Sequence, residues 1–299
     1  LHYSLADLTG VLAGAILTAG LYAVMSYGLA LIYGVMRLVN LSHAGTMMFG
    51  AFVTLTLNRA LHLDPLLGSL VVLPVFFGFG MGLYALVVSR IARSAQIVSL
   101  LLLFGLWLVL QNTAYLIWGN DDQSIITGYT YLTLKIGFLS LAFTRVVVFL
   151  AALAALAALA WFMSHTYTGK AIRAVSLNYE ASRLAGIDVE RTSALAFGLG
   201  TAMAAFAGSL FTLLFSFTPD FGGVFQAKAF CVIVLGGLTS FVGVALGSLL
   251  LSLAESFGVL FIRPSLQNLI SFGLLFLALI VLPGGLRSLY RRGARSQAP

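Results

Sequence analysis

The sequence predicts an all-α, polytopic transmembrane bundle of about eight to ten helices with discontinuous segments, and three observations carry that expectation. Hydrophobic residues make up 61% of the 299 residues and charged residues only 8%, against ~45–50% and ~25% in soluble domains. Nine apolar runs approach the ~20 residues that a helix needs to cross a hydrocarbon layer of ~30 Å. Hydrogen-bonding groups gather at a few places between those runs, most densely in RLVNLSHAGT at 37–46.

The runs lie near 10–34, 42–58, 66–88, 97–118, 146–163, 193–215, 226–238, 243–260 and 267–286. Nine crossings put the two ends of the chain on opposite sides of the membrane. Of the 16 Lys and Arg residues, Arg59, Lys135, Arg145, Lys228 and Arg263 fall on one side, and the other eleven, from Arg37 to Arg295, on the other. The positive-inside rule makes the larger group cytoplasmic, with the N-terminus outside and the RRGAR tail inside. The weakest run, 226–238, also reads as a re-entrant piece, which would reverse part of that topology. No signal peptide is expected, because residues 1–9 hold no basic cluster and no small-residue cleavage pattern follows.

Several function classes are excluded by what the chain lacks. The net charge of +7 comes from bases spread in ones and twos between spans, a topology signal and not a nucleic-acid face. Cys231 is the single cysteine, so it forms neither an internal disulfide nor a metal cluster. TYTGKA at 166–171 is the nearest approach to a phosphate loop, and it lacks the first glycine and the hydroxyl after lysine. No catalytic triad, paired carboxylates or His/Cys cluster appears. A transport role without catalysis, metal or cofactor in this chain is expected.

Small residues at Gly243 and Gly247, at Ala204 and Gly208, and at Gly78, Gly80 and Gly82 predict close helix packing, as does AALAALAALAW at 151–161. The loop 119–144 opens with the polar GNDDQS and continues ITGYTYLTL, which suits a short hairpin. The loop 164–192 predicts a surface helix of about two turns. Asn178 is its N-cap, Glu180 stands in the first turn and Gly186 follows its last residue. Isolated helices of ~12–15 residues are already marginal in water, so the bundle or a partner protein must hold this one.

Two polar breaks are candidates for a passage. Asn40, Ser42 and His43, followed by Gly45, sit where one helix stops and the next begins. Asn40 or Ser42 would cap the second helix and leave its first N–H groups facing a cavity. An ordinary hairpin anchored by Arg37 is the alternative. GGLTSFVG at 236–243 repeats the pattern with Thr239 and Ser240, in a roughly corresponding position of the second half. Glu255 is the one acid inside an expected span. It would line the path, bind a neighbouring helix, or pair with a base from another subunit.

EASRLAG, with Glu180, Ala181 and Ser182 followed by Gly186, resembles the EAA-type signature of ABC-importer permeases, in which a short helix docks into a cleft on the ATPase subunit. YGLALIYGVMRLVNLSHAGTMMFGAF at 27–52, GKAIRAVSLNYEASRLAGID at 169–188 and VLGGLTSFVGVALGSLLLSLAE at 234–255 are similar in order and spacing to the permeases of branched-chain amino-acid importers. The resemblance covers almost the whole chain. It implies one permease domain over 1–299 in a bacterial-type cytoplasmic membrane. It also implies a second permease subunit, identical or related, two cytoplasmic ATPases that carry the ATP and Mg, and an extracytoplasmic binding protein. Asn178, Glu180, Ala181, Arg183 and Gly186 are then the coupling residues. The family commonly has His-Gly-Glu where this chain has His43, Ala44, Gly45 and Thr46, so urea and short amides stay open beside branched-chain amino acids. An ion-coupled transporter would want more ionisable core groups than Glu255 and His43.

Overall fold

A computed structural model describes residues 5–91, 95–137, 139–237, 240–261 and 266–281. Each expected span is helical over most of its described residues, the one expected at 193–215 ending at Phe211. They are α1 (Leu5–Met36), α2 (His43–Leu61), α3 (Pro65–Leu83), α5 (Gln96–Trp118), α6 (Phe143–His165), α9 (Val189–Phe211), α10 (Phe221–Gly236), α11 (Phe241–Phe261) and α12 (Gln267–Val281). α3 continues through a π-helical turn at Tyr84–Val88 into the short α4 (Ser89–Ile91). Among the described residues, six helices are long and apolar enough to cross a membrane, at Leu8–Met36, Pro65–Ile91, Gln96–Trp118, Phe143–His165, Val189–Phe211 and Phe241–Phe261. α10 and α12 are shorter. At 1.5 Å per residue α10 is about 24 Å long, a little under the hydrocarbon thickness.

Burial sorts the helices by what surrounds them. In α9 the most apolar window is 83% buried, and in α6 only 17%. α9 is therefore the axial helix, packed against α1, α2 and α3. α6 turns Val148, Ala152 and Leu159 inward and leaves Leu150, Leu153 and Trp161 exposed. Continuous apolar surface of that kind is a liability in water and matched in lipid. The chain is a multi-pass membrane protein.

The expected small-residue seams are present where helices cross. A Cβ on Gly208 would run into the carbonyl oxygen of Met47, and one on Gly50 into that of Ala205, so α2 and α9 meet backbone to backbone. Gly236 and Gly243 make the equivalent crossing of α10 and α11. Gly80 faces Gly198 and Thr201, whereas Gly78 and Gly82 have open space beside them. Gly208→Val should therefore cost at least the ~1–3 kcal/mol typical of an overpacked core, because the obstacle is a carbonyl and not a pliable side chain. A lower melting temperature of the purified protein checks this, and Gly78→Val should leave that temperature unchanged.

At one end of the bundle the 119–142 segment is strapped down. Arg59 Nη2 donates to Gln123 Oε1 at 2.6 Å, and the backbones of Gln123 and Phe217 exchange two hydrogen bonds at 2.9 Å. Tyr129 Oη donates to Asp64 Oδ1 at 2.9 Å, while Asp64 caps α3 by accepting from the Leu66 N–H. Burial, and then the neighbouring Asp64 carboxylate, push the Tyr129 phenol pKa upward. A hairpin does follow, but later than expected: β1 (Thr133–Ile136) pairs antiparallel with β2 (Leu139–Ala142), Thr133 opposite Ala142, while residues 126–132 of the ITGYTYLTL stretch form no strand. At the opposite end lie α7 (Tyr167–Leu177) and α8 (Tyr179–Leu184).

One sequence assignment is corrected here. Lys228, counted among the loop bases, sits in the middle of α10 and is buried. A single charge near the edge of an apolar run looks the same in sequence whether it anchors a loop or enters the core. Arg263, Thr239 and the RRGAR tail lie outside the described residues.

Candidate functional site

The α7–α8 end carries the surface predicted to couple. Thr166 caps α7 by accepting from the Gly169 N–H at 3.0 Å, so TYTGKA is a helix start and not a phosphate loop. Ile172 and Val175 bury against Val35, Val189 and Ala196, which docks α7 on the bundle. α8 follows as the short capped helix read from the sequence. Asn178 Oδ1 accepts from the Ala181 N–H at 3.0 Å, and the Ile187 N–H closes the far end on the Ser182 carbonyl at 3.0 Å. Gly186 takes φ +82°, a left-handed conformation that costs a residue with a Cβ and is nearly free for glycine.

Of the α8 residues only Ser182 is buried. Glu180, Ala181 and Arg183 are exposed, and the helix is flanked by Leu177 at 80% and Leu184 at 89% exposure. Two apolar side chains, Leu177 and Leu184, are thus left bare beside the charged Glu180 and Arg183. Asn178→Ala should weaken α8 by about 1 kcal/mol, seen as faster amide hydrogen exchange at 179–184 with the membrane helices unaffected.

The first polar break is real but closed. α1 ends at Met36 and Arg37 turns the chain at φ +57°. Ser42 occupies the N-cap position of α2 without a side-chain cap bond. Instead, Asn40 Oδ1 accepts from the Ser42 N–H at 3.0 Å and from its hydroxyl at 2.6 Å. Gln226 Nε2 of α10 donates to the Asn40 carbonyl at 3.0 Å, and His43 Nε2 lies 2.9 Å from the Met25 carbonyl. Asn40, Ser42 and His43 are at most 1% exposed, so these groups face protein and not the cavity expected from the sequence. Gly45 gives room to Leu110 and Trp107 of α5.

The second break is also present. α10 stops at Gly236, Gly237 takes φ +89°, and the Ser240 hydroxyl accepts from the Gly243 N–H at 3.1 Å to start α11. Ser240 lines a cavity of about 550 Å³ at the α7–α8 end, which Arg37 and Arg173 also border. Asn40, Ser42 and His43 do not line it.

Glu255 has its partner inside the chain, so the reading that borrows a base from another subunit is not needed. Lys228 Nζ lies 2.9 Å from Oε1 and 3.0 Å from Oε2. Tyr22 donates to Oε2 at 2.6 Å and Gln267 Nε2 to the same oxygen at 2.9 Å, while the Ser271 hydroxyl bonds Oε1. Lys228 also lies 5.3 Å from the Tyr22 ring centroid and 5.2 Å from that of Phe225. The network ties α1, α10, α11 and α12 together. Reading the sequence missed Lys228, Tyr22, Gln267 and Ser271. Two opposite charges in successive apolar runs are the signal that pairs the first of these with Glu255.

Among the described residues, no group of three or more His, Cys, Asp or Glu side chains is arranged to hold a metal ion. Comparison with known proteins matches residues 11–279 to the family model described as the permease component of the branched-chain amino acid transport system. The chain is 29% identical over 278 residues to the high-affinity branched-chain amino acid transport system permease protein LivH of Escherichia coli K12, covering 89% of this chain and 90% of that protein. It is 27% identical over 280 residues to the corresponding BraD protein of Pseudomonas aeruginosa, covering 89% and 91%. A shorter similarity, 35% over 144 residues and 46% of this chain against 42% of the relative, joins it to the autoinducer 2 import system permease protein LsrC of an Enterobacter strain. No solved structure matches.

Proposed function

The chain belongs to the branched-chain amino acid transport permease family, and from that premise we propose that it is the membrane subunit of an ATP-driven importer for branched-chain amino acids. The exposed α8 helix carries the reading. It is held on its Ser182 side and left open at Glu180, Ala181 and Arg183 between two bare leucines. Two cytoplasmic ATPases binding ATP and Mg would grip it. A second permease subunit completes the passage, and an extracytoplasmic binding protein delivers the ligand. Closure of the ATPases on ATP then moves α8 and shifts the bundle between inward- and outward-facing states.

The same reading places the protein in the cytoplasmic membrane with its N-terminus outside and the α7–α8 end in the cytoplasm. Arg37, Lys170, Arg173, Arg183 and Arg191 all belong to that end by chain direction, and moving Lys228 into the core leaves one base fewer on the opposite side. The helix breaks at 37–42 and 237–240 are proposed to bound the passage. Asn40, Ser42, His43 and Gly45 fix the first break, and Ser240 stands at the second. Glu255 holds the helices behind them.

Purification with its neighbours tests the proposal. The chain should carry two ATPase subunits with it, and proteoliposomes should accumulate labelled leucine only with binding protein and ATP. Isoleucine and valine should compete, and urea should not. Uphill uptake on a proton or sodium gradient without an ATPase would overturn it.

A further inference from the structure

We infer that the cavity at the α7–α8 end is a binding site for an anionic phospholipid, its phosphate held by Arg37 and Arg173 and its acyl chain laid along α1 and α6. The cavity encloses about 550 Å³ between α1, α6, α7 and the start of α11. Its wall is aliphatic, with Leu31 and Val35 from α1 facing Leu159 and Met163 from α6. α6 also presents Leu153 and Trp161 to the surroundings, 52% and 61% exposed, a lipid-facing surface on the same helix. An indole at that level is the usual marker of the bilayer interface.

The polar rim has one sign. Arg37 and Arg173 line the cavity with Tyr27, Ser176 and Ser240, and among the described residues no carboxylate does. Each guanidinium is pinned at one nitrogen by a carbonyl near a helix end: Arg37 Nη2 donates to Ser176 O at 3.3 Å and Arg173 Nη2 to Met163 O at 3.1 Å. Among the described residues the ion pair is Lys228 with Glu255, and neither arginine meets an acid. Each guanidinium keeps further N–H donors in a fixed fork suited to phosphate oxygens. Arg37 keeps this place at φ +57°, a backbone conformation that L-residues other than Asn and Asp rarely adopt.

Charge and shape together select the occupant. A zwitterionic amino acid would leave its ammonium without a counter-charge here. Free phosphate would leave the aliphatic wall unfilled. A phospholipid with a net negative head matches both parts, and basic groups at a membrane surface attract such heads. The inference rests on the membrane-embedded bundle and not on ATPase docking, so either can fail without the other.

The test uses the full chain, with any subunits that accompany it, reconstituted in equal parts of phosphatidylcholine and phosphatidylglycerol. After gentle detergent extraction, lipids still bound are read by native mass spectrometry. Phosphatidylglycerol should be retained over phosphatidylcholine by roughly thirtyfold, the scale two basic side chains supply at a membrane surface. Arg37→Gln/Arg173→Gln should abolish that preference, and Arg145→Gln at the hairpin end should keep it. Ala160→Trp, which fills the cavity and leaves both arginines in place, should also lose the lipid, so a misfolded double variant does not decide the matter. Equal retention of both lipids, equal loss in Arg145→Gln, or full retention in Ala160→Trp would overturn the site. Displacement of the lipid by inorganic phosphate would reassign it to small anions and overturn the lipid occupant.

Discussion

Lys228→Met is expected to destabilise the bundle by about 3–5 kcal/mol, the usual cost of leaving one member of a buried ion pair alone. The Glu255 carboxylate would keep Tyr22, Gln267 and Ser271 but lose its counter-charge, in a place where neither water nor another described base reaches it. Glu255→Gln should do comparable damage, since it strands the ammonium between the Tyr22 and Phe225 rings. The informative variant is the double one. Lys228→Met/Glu255→Gln removes both charges, keeps an amide for the three neutral donors, and should recover most of the loss. Thermal unfolding of the purified protein in detergent reads all three, and a double variant as damaged as the two singles added together would show that the charges do not act as a pair.

The second large effect belongs to α8. Gly186→Val places a β-branched side chain at φ +82°, where a Cβ alone costs about 1–2 kcal/mol, and so deforms the turn that ends the helix. Ala181→Trp changes only the exposed face. Both should reduce ATP-dependent uptake by about tenfold or more, on the scale of losing an interface hot spot of ~2 kcal/mol. The amount of protein in the membrane and its melting temperature should barely change for Ala181→Trp, because no described residue packs over that face. Residual ATP hydrolysis that no longer responds to loaded binding protein is the sign of broken coupling. Normal coupled transport in Ala181→Trp would remove α8 from the mechanism.

Much of the architecture was legible because the signals are local. Each span shows as a run of apolar residues, and α8 shows through Asn178 and Gly186, whose preferences act within one turn of the helix they bound. The helix ends at Met36 and Gly236 were legible for the same reason. What lies around them was not. The partner of the Asn40 carbonyl is Gln226, 186 residues further on, and nothing near Asn40 tells whether its environment is water or a helix. Lys228 failed in the same way, since its meaning depends on Glu255 of the next helix. Local rules fixed where the helices begin and end; the burial of polar groups follows from how the helices are assembled.

The seam between α2 and α9 has a mechanical implication. Gly50 lies on the Ala205 backbone and Gly208 on that of Met47, so at these two points main chain abuts main chain, and between the same helices the Thr54 hydroxyl donates to that of Ser209 at 2.6 Å. Sliding one rod past its neighbour normally proceeds by side chains hopping between grooves, and at these two contacts there are none to hop. These two rods must travel as a single stiff strut, and the give in the machine has to come from its looser margins, where α6 and α12 meet lipid or another polypeptide.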